Sequence, residues 1–311
     1  MIKIKIVSKQ YKFKSASGLC DIYAKSFVPD TDVKAVVQIS HGMAEHCARY
    51  ERFAAALCEN GYAVFMSDHV GHGQSVCDKQ MLGFFGDTDG ENSWTKDLKT
   101  VLSFIKSEFS TLPVFIFGHG MGSLIARKYT LENPNTFKGA VYTGTNGSNP
   151  AVDFGILLCN IAIALKGSRY KSKLIDKIAF GAYNNKTSKK TPCDWASRDE
   201  AEVKSFIDDD LCGYMYTVSG LKALFKTVKA VTSKSWFSSI DKDLPIFLLS
   251  GSMDPVGNYA KGVYETYNNL IKTKHSNVSI KIYDGARHEI LNETNRDEVT
   301  SDIISWLDNQ L

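Results

Sequence analysis

The sequence lacks several features that would assign it to whole classes of protein. Its longest apolar run, 154–165, is too short to span a bilayer and contains Asn160, so it predicts a buried or interfacial helix. No heptad, solenoid repeat or low-complexity tract interrupts the 311 residues. The net charge is only +3, with both signs mixed along the chain, which argues against a nucleic-acid partner.

Disulfide and metal-binding patterns are also missing. Seven cysteines occur singly without a CxxC pair, which predicts reduced residues that mostly pack in the interior. The opening segment, "MIKIKIVSKQYKFKS", alternates charged and apolar residues as a strand does and lacks the apolar core of a signal peptide. We therefore expect an uncleaved, cytoplasmic protein, and we predict no cofactor and no metal.

What is present is a regular alternation of short apolar runs and helical patterns. We predict an N-terminal strand pair within 2–28, strands at 33–40, 62–68, 113–118, 139–144, 245–251 and 278–284, and helices at 49–60, 93–109, 121–132, 258–273 and 296–309. This order is typical of an α/β protein with a mostly parallel, doubly wound sheet. The alternation breaks at 146–240, which predicts a helical cap inserted into a core formed by 1–145 and 241–311.

The stretch "VFIFGHGMGSLIARKY", 114–129, runs from a strand through a glycine-rich turn into a helix. It fits the nucleophile elbow G-x-S-x-G, with Gly118 and Gly122 at the flanking positions and Gly120 where serine is expected. The central residue of such an elbow has a strained backbone, which glycine adopts freely. The turn can therefore persist although the side chain that attacks is absent.

Polar residues follow the other predicted strands. Six of the seven histidines lie at strand ends or in the turns after them, namely His41, His46, His69, His72, His119 and His288. Asp254 follows the strand 245–251, and His288 follows the last strand, so position 120, Asp254 and His288 occur in the nucleophile, acid, base order of this kind of fold. By position, the backbone N–H groups of Met43 and Met121 are expected to form an oxyanion hole.

Five motifs together identify a resemblance. "HGMAEHCARY", "SDHVGHGQS", "FGHGMGS", "SGSMDPVG" and "GARHEILNE" resemble the monoacylglycerol lipase and lysophospholipase family of α/β-hydrolases, over about residues 12–309. The cap segment "CDWASRDEAEVKSFIDDDLCGY" is similar to bacterial lysophospholipase-like members. The resemblance implies an α/β-hydrolase fold, hydrolysis of lipid esters that carry one acyl chain, and serine at position 120. It also implies that Glu45 and Arg49 lie near the polar end of the ester pocket, with a structural ion pair as the alternative.

Three explanations of Gly120 are open. The chain is an inactivated variant of an enzyme with serine there, or a natural pseudoenzyme that binds a lipid or a partner, or another residue attacks. For the third, Ser123, Cys47 and His119 are the nearest candidates, and none has a better claim than position 120. The retained Asp254, His288 and "HGMAEH" loop favour the inactivated variant.

Other interpretations concern ligands and partners. Asp68, His69 and His72 could be metal ligands, although turn geometry is the favoured interpretation of this loop. Eight lysines and arginines with one acid at 166–190, beside the apolar run, suit either docking on an anionic lipid surface or a solvated loop. Acidic groups at 197–202 would suit an aminopeptidase, and a small-ester esterase is a further alternative. The oligomeric state is left open.

Overall fold

A mixed β-sheet organises the protein, whose computed structural model describes residues 4–311. The eight strands are Ile6–Lys14 (β1), Asp21–Pro29 (β2), Ala35–Ser40 (β3), Tyr62–Ser67 (β4), Val114–His119 (β5), Gly139–Thr143 (β6), Ile246–Gly251 (β7) and Val278–Tyr283 (β8). Their spatial order is β1-β2-β4-β3-β5-β6-β7-β8. β2 pairs antiparallel with β1 and β4, and all later neighbours are parallel. The predicted strands are confirmed with small shifts at their ends.

Helices cover both faces of this sheet. Those of the α/β alternation are Glu51–Glu59 (α1), Glu91–Glu108 (α2), Met121–Glu132 (α3), Lys261–Lys272 (α9) and Arg296–Asp308 (α10). One apolar layer contains side chains of α2, α3 and α9, and the other contains those of α1 and α10. The arrangement is the predicted doubly wound one, because right-handed crossovers between parallel strands place helices on the sheet faces.

The central strands are apolar at successive positions because both of their faces are buried. In β5, Val114 and Ile116 point into the layer of α2 and α3, whereas Phe115 and Phe117 point into the layer of α1. Every residue of β5 is buried. A strand with one wet face would show polar residues at alternate positions.

Five α-helices fall between β6 and β7, in the interval predicted as a cap. They are Val152–Lys166 (α4), Lys173–Phe180 (α5), Glu200–Asp208 (α6), Val218–Val231 (α7) and Lys234–Ser239 (α8). The interval is not uniform, because α7 and α8 pack into the apolar layer beside α2 and α3. The indole N–H of Trp236 donates to the Arg127 carbonyl of α3 at 2.9 Å. We therefore propose that α7 and α8 belong to the layer that covers the core and not to a separate cap.

Helix α4 corresponds to the longest apolar run of the sequence. It buries only Val152 and Cys159, whereas Phe154, Leu157, Ile161 and Leu165 are exposed. Of the helices between residues 4 and 311, none combines the length and the hydrophobicity that a membrane crossing requires. Of the two predictions for this run, the exposed side chains of α4 fit an interfacial helix better than a buried one.

Candidate active site

The turn between β5 and α3 has the geometry that the glycine-rich motif predicts. Gly120 has φ +52° and ψ −121°, a conformation that side-chain-bearing residues rarely adopt, and its N–H donates to the Thr143 carbonyl at 2.9 Å. A Cβ at Gly122 would collide with the carbonyl oxygens of Ser40 and His41, because the start of α3 packs against the end of β3. The turn thus places position 120 at the carboxyl edge of the sheet.

This strain predicts a stability difference. Gly120→Ser is expected to lower the free energy of unfolding by about 1–3 kcal/mol, because serine pays for a backbone conformation that glycine adopts freely. Urea unfolding of both proteins at equal m-value measures the difference. Gly18→Ser, at φ +71° with open space around it, provides a matched positive-φ control away from the turn. A serine variant as stable as the parent would contradict the assignment of strain to this turn.

Two residues in loops after later strands meet at this turn. The Nδ1 atom of His288 lies 3.0 and 3.1 Å from the two carboxylate oxygens of Asp254, which is fully buried. The Asp254 carboxylate also accepts from the Val256 N–H at 2.9 Å and the Ser250 hydroxyl at 3.3 Å. Because a carboxylate only accepts, His288 carries its proton on Nδ1 and leaves Nε2 as an acceptor.

The free Nε2 atom of His288 faces position 120. A Cβ built on Gly120 would lie 3.1 Å from this atom, so a side chain there would contact the imidazole directly. Burial would lower the pKa of His288, but the Asp254 carboxylate, with Glu289 and Glu45, outweighs it and raises the pKa above its ordinary value. The pair can therefore take a proton from a hydroxyl at position 120 and stabilise the resulting imidazolium.

The loop after β3 passes on the other side of position 120. The Gly42 N–H donates to Glu45 at 2.5 Å, and the Gly42 carbonyl accepts from His41 Nδ1 at 2.9 Å. The Ala44 N–H donates to the Tyr216 hydroxyl at 3.2 Å, and the Ala44 carbonyl accepts from the Gly213 N–H at 2.9 Å. The backbone on both sides of Met43 is thus fixed.

Two backbone donors near position 120 have no acceptor. Across the hydrogen bonds formed by residues 4–311, neither the Met43 N–H nor the Met121 N–H donates to a protein atom. Met121 is the first residue of α3, whose N–H groups point out of the helix end. Gly42 Cα lies 3.8 Å from a Cβ built on Gly120, so the loop that carries Met43 passes close to this position.

Buried histidines hold this loop in place. His72 Nδ1 lies 3.1 Å from the Val70 carbonyl, an acceptor, so its Nε2 accepts the proton of the Tyr216 hydroxyl. In the same way His41 donates through Nδ1, and its Nε2 accepts from the His69 N–H at 2.9 Å. Burial lowers the pKa of His41, His69 and His72, which keeps them neutral and maintains this pattern.

Glu45 and Arg49 bind each other rather than facing an open pocket. Arg49 donates to Glu45 at 2.6 Å and to both carboxylate oxygens of Glu289 at 2.8 and 2.6 Å. Burial would raise the pKa of Glu289, but the Arg49 guanidinium holds it at about 2. With Tyr50 and His119, these residues line a cavity of about 10 Å³, room for about one water molecule. The contacts favour the structural ion pair over the predicted substrate contact.

The other candidate nucleophiles are occupied or inert. The Ser123 hydroxyl donates to the Gly120 carbonyl at 2.6 Å and is fully buried. Burial raises the pKa of the Cys47 thiol well above its ordinary value. Burial and the neighbouring His288 lower the pKa of His119 to about 4, and its Nδ1 lies 3.0 Å from the Thr143 hydroxyl. None of these groups forms a hydrogen bond with His288 Nε2, the atom that a side chain at position 120 would contact.

The loop with Asp68, His69 and His72 is held by internal hydrogen bonds. Asp68 accepts from the N–H groups of Cys47 and Gln74 at 2.8 and 2.7 Å, and His69 Nε2 lies 2.9 Å from the Ser40 hydroxyl. These contacts support the interpretation of the loop as a shaped turn. Within residues 4–311, a different group, His46, Asp209 and Cys212, brings three metal-ligating side chains together.

Trp195 of the cap packs over the His288 ring, a contact that the sequence analysis did not predict. The Trp195 ring lies 5.3 Å from the His288 ring, and the carbonyls of Trp195 and Ala196 accept from the N–H groups of His288 and Glu289 at 3.4 and 2.7 Å. The sequence around Trp195 contains no local signal for this contact, because the contact joins two segments that lie about ninety residues apart in the chain.

Comparison with known proteins agrees with this geometry. The chain is 29% identical over 297 residues to a monoglyceride lipase homolog of Monkeypox virus, covering 93% of this chain and 95% of that one. It is 26% identical over 296 residues to the monoglyceride lipase of Mus musculus, covering 93% and 88%. A thermostable carboxyl esterase from Bacillus coagulans, solved with glycerol, superposes with a TM-score of 0.92 at 29% identity, covering 98% and 99%.

A family model also matches most of the chain. The model described as "Serine aminopeptidase, S33" matches residues 31–295, which include β3 to β8, the turn at Gly120, Asp254 and His288. The predicted α/β-hydrolase fold is confirmed by these matches and by the sheet order. The chain therefore belongs to the serine aminopeptidase S33 family of α/β-hydrolases and is similar in sequence to monoglyceride lipases.

Proposed function

We propose that this chain is the scaffold of a carboxylic ester hydrolase for lipids with a single acyl chain, with glycine at the nucleophile position and therefore little or no activity. One observation carries the proposal: His288 Nε2, oriented by Asp254, faces position 120 at 3.1 Å from a Cβ built there. Such a base has no use in an ordinary turn. The natural pseudoenzyme remains the alternative, and a serine codon in the encoding gene would exclude it.

The mechanism belongs to the Gly120→Ser form. His288 Nε2 removes the hydroxyl proton as the oxygen attacks the ester carbonyl, and the Asp254 carboxylate stabilises the imidazolium. The N–H groups of Met43 and Met121 donate to the carbonyl oxygen as it becomes negative. The imidazolium protonates the leaving alcohol, and water activated by His288 then releases the fatty acid. Monoacylglycerol hydrolysis by this form tests the whole scheme.

The fixed loop around Met43 gives a sharper test. Tyr216→Phe in the Gly120→Ser form removes the acceptor of the Ala44 N–H and the donor to His72, so the Met43 N–H loses its alignment. We expect kcat to fall on the order of 10-fold to 100-fold with KM nearly unchanged, since oxyanion contacts act in the transition state. Steady-state kinetics on a soluble ester measure this split.

Tyr214→Phe is the matched control. Tyr214 also packs on His72, but its hydroxyl donates to the Gly71 carbonyl at 3.3 Å and does not reach the Met43 loop. The kcat and KM of this variant should stay within about twofold of those of the Gly120→Ser form, because the substitution removes no contact to the Met43 loop. A Tyr216→Phe variant that raised KM alone would contradict the role in the oxyanion hole.

The substrate class is supported by the relatives and by the cap. Two relatives of nearly the same length are named monoglyceride lipases. The aminopeptidase alternative needs free acidic groups in the cap, but Asp199 and Glu202 pair with Arg296, and Glu200 pairs with Lys190. We therefore expect the Gly120→Ser form to cleave monoacylglycerol and not aminoacyl amides. A panel of long-chain esters, short-chain esters and aminoacyl amides separates the three alternatives.

We further propose that the cap docks on an anionic lipid surface. The apolar face of the cap is formed by Phe154, Leu157, Ile161 and Leu165 of α4 with Leu174 and Ile178 of α5, all exposed. Lysines 166, 171, 173 and 177 lie in the same segment. Exposed apolar residues beside basic ones bind the boundary between headgroups and acyl chains of anionic membranes.

Vesicle flotation tests this docking. We expect the protein to float with vesicles containing phosphatidylserine, less with pure phosphatidylcholine, and less again at high salt. Leu165→Asp places a charge on the most exposed apolar side chain and should reduce the bound fraction several-fold. Val7→Asp, at another exposed apolar position, on β1 and outside the cap, should leave binding unchanged. Equal loss with both variants would contradict docking through the cap.

A further inference from the structure

Three metal-ligating side chains meet on the side of the Met43 loop that faces the cap. His46 belongs to the loop after β3, and Asp209 and Cys212 follow α6. One ligand atom from each lies within 4.8 Å of the others, and His46 Nε2 is 2.8 Å from Asp209 Oδ2. A group of three such residues at this spacing occurs nowhere else in the described range 4–311.

The local backbone orients two of these ligands. The Cys212 N–H donates to the Asp209 carbonyl at 2.9 Å, which closes a tight turn and brings both side chains to one side. The Leu211 N–H donates to Asp209 Oδ1 at 2.8 Å and leaves Oδ2 directed at His46. A carboxylate with one oxygen held by a backbone donor is a pre-oriented ligand.

We propose that His46 Nε2, Asp209 Oδ2 and Cys212 Sγ bind a Zn²⁺ ion, with water as the fourth ligand. Nitrogen, oxygen and sulfur donors in a tetrahedral set are the ligands Zn²⁺ prefers, and three protein ligands with one water is a common arrangement. Binding through Nε2 requires the tautomer of neutral His46 with its proton on Nδ1 instead of on Nε2, and it releases the thiol proton of Cys212 to solvent. To surround the ion evenly, His46 Nε2 and Asp209 Oδ2, now 2.8 Å apart, must separate slightly, and the longer distances between ligand atoms, within 4.8 Å, must shorten.

Charge and access fit a cation that arrives from solvent. The side chains of His46 and Asp209 keep 13% and 33% of their exposure. Beside them lies a surface depression lined by Asp208, Asp209 and Asp210 and by Lys204, which pairs with Asp208 and leaves Asp209 free to face His46. Cys212 binds the ion as a thiolate, so its thiol proton must leave when the metal binds. Zinc affinity should therefore rise with pH.

An ion at this place would join the cap to the core. Cys212 precedes Gly213, whose N–H holds the Ala44 carbonyl at 2.9 Å. His46 lies two residues after Ala44 in the loop that carries Met43. The bound ion therefore fixes the cap turn against this loop and should raise the Tm in a zinc-dependent way, because it binds the folded state. The inference does not depend on the proposed hydrolase activity.

Equilibrium dialysis of the Gly120 protein against zinc sulfate tests the site, with metal analysis of the dialysed protein. Cys77→Ser serves as the background, because Cys77 is an exposed thiol elsewhere. We expect about one equivalent of zinc, and at least about tenfold weaker binding in Cys212→Ser and in Asp209→Asn. Asp210→Asn, from the same acidic run, is the matched control and should bind as the background does.

Two readouts keep the test independent of folding defects. Cobalt in place of zinc should give a thiolate charge-transfer band in the absorption spectrum, and Cys212→Ser should lose this band. An unchanged far-ultraviolet circular dichroism spectrum shows that each variant is folded. Zinc should raise the Tm of the Cys77→Ser protein and of its Asp210→Asn variant, but not that of the Cys212→Ser and Asp209→Asn variants. Equal zinc uptake by Cys212→Ser and the background, or a cobalt spectrum without the thiolate band, would overturn the proposal.

Discussion

Gly120→Ser is expected to turn this chain into an ester hydrolase, with a rate on monoacylglycerol at least about 10³-fold above that of the parent. In the proposed mechanism, His288, its orienting acid Asp254 and the N–H groups of Met43 and Met121 need only the missing hydroxyl at position 120. The triad acts as a unit, so restoring its missing member restores most of the catalysis. Release of fatty acid, measured under the same conditions for both proteins, gives the ratio.

Two controls separate the hydroxyl from other effects of the change. Gly120→Ala adds the same Cβ against His288 and the same backbone strain but supplies no nucleophile, so it should stay at the parent's rate. Ser123→Ala in the Gly120→Ser form removes the next hydroxyl, which only donates to the carbonyl of residue 120, and should keep most of the activity. Activity in the alanine variant would show that another group attacks.

The second large effect concerns the buried acid. Asp254→Asn in the Gly120→Ser form is expected to lower kcat about 10⁴-fold. An amide at this position can donate its N–H to His288 Nδ1, which favours the tautomer with its proton on Nε2, and that nitrogen can no longer accept from a hydroxyl. Asp284→Asn, an exposed acid in the loop after β8, is a suitable control because its contact is the Ser252 hydroxyl.

The pH dependence follows from the same pair. His288 must be neutral to act as a base, and Asp254 raises its pKa, so kcat/KM should fall as the pH drops through a value above 6.5. Asp254→Asn removes the charge that raises this pKa, and the acid limb should move to lower pH. A limb that did not move between the two proteins would show that His288 is not the titrating base.

Most of the fold was predictable because its signals are local. Each central strand is a continuous apolar run bounded by turn residues, so the strands were placed to within a few residues. The order of Gly120, Asp254 and His288 at strand ends indicated the site, because parallel strands bring their carboxyl ends to one edge. These inferences need no knowledge of how distant segments pack.

The parts that were missed depend on long-range contacts. Tyr216 reaches the Met43 loop from the cap, and Glu289 binds Arg49 from the far end of the chain. Glu289 stands in the motif "GARHEILNE" and Tyr216 in no motif, but neither stretch contains a local signal that identifies the distant partner. The His46, Asp209 and Cys212 group was missed for the same reason: His46 lies more than 160 residues before the other two ligands along the chain.

The packing of α7 and α8 shows a further limit of pattern analysis. Both helices lie within 146–240, where the break in alternation predicted a single inserted unit. Their apolar faces nevertheless complete the layer that covers the central strands. A break in alternation shows where the regular α/β order stops, but it does not show which of the inserted helices return to the core.

Labelling with a fluorophosphonate tests the central claim most directly, because the reagent reacts with a serine hydroxyl only when a base and an oxyanion hole activate it. Mass spectrometry of the digested proteins then locates the adduct. We predict stoichiometric labelling at position 120 in Gly120→Ser, none in the parent, and loss of labelling when His288→Ala is added. An unlabelled Gly120→Ser protein, or an adduct at Ser123, would contradict the assignment of this turn as the nucleophile elbow.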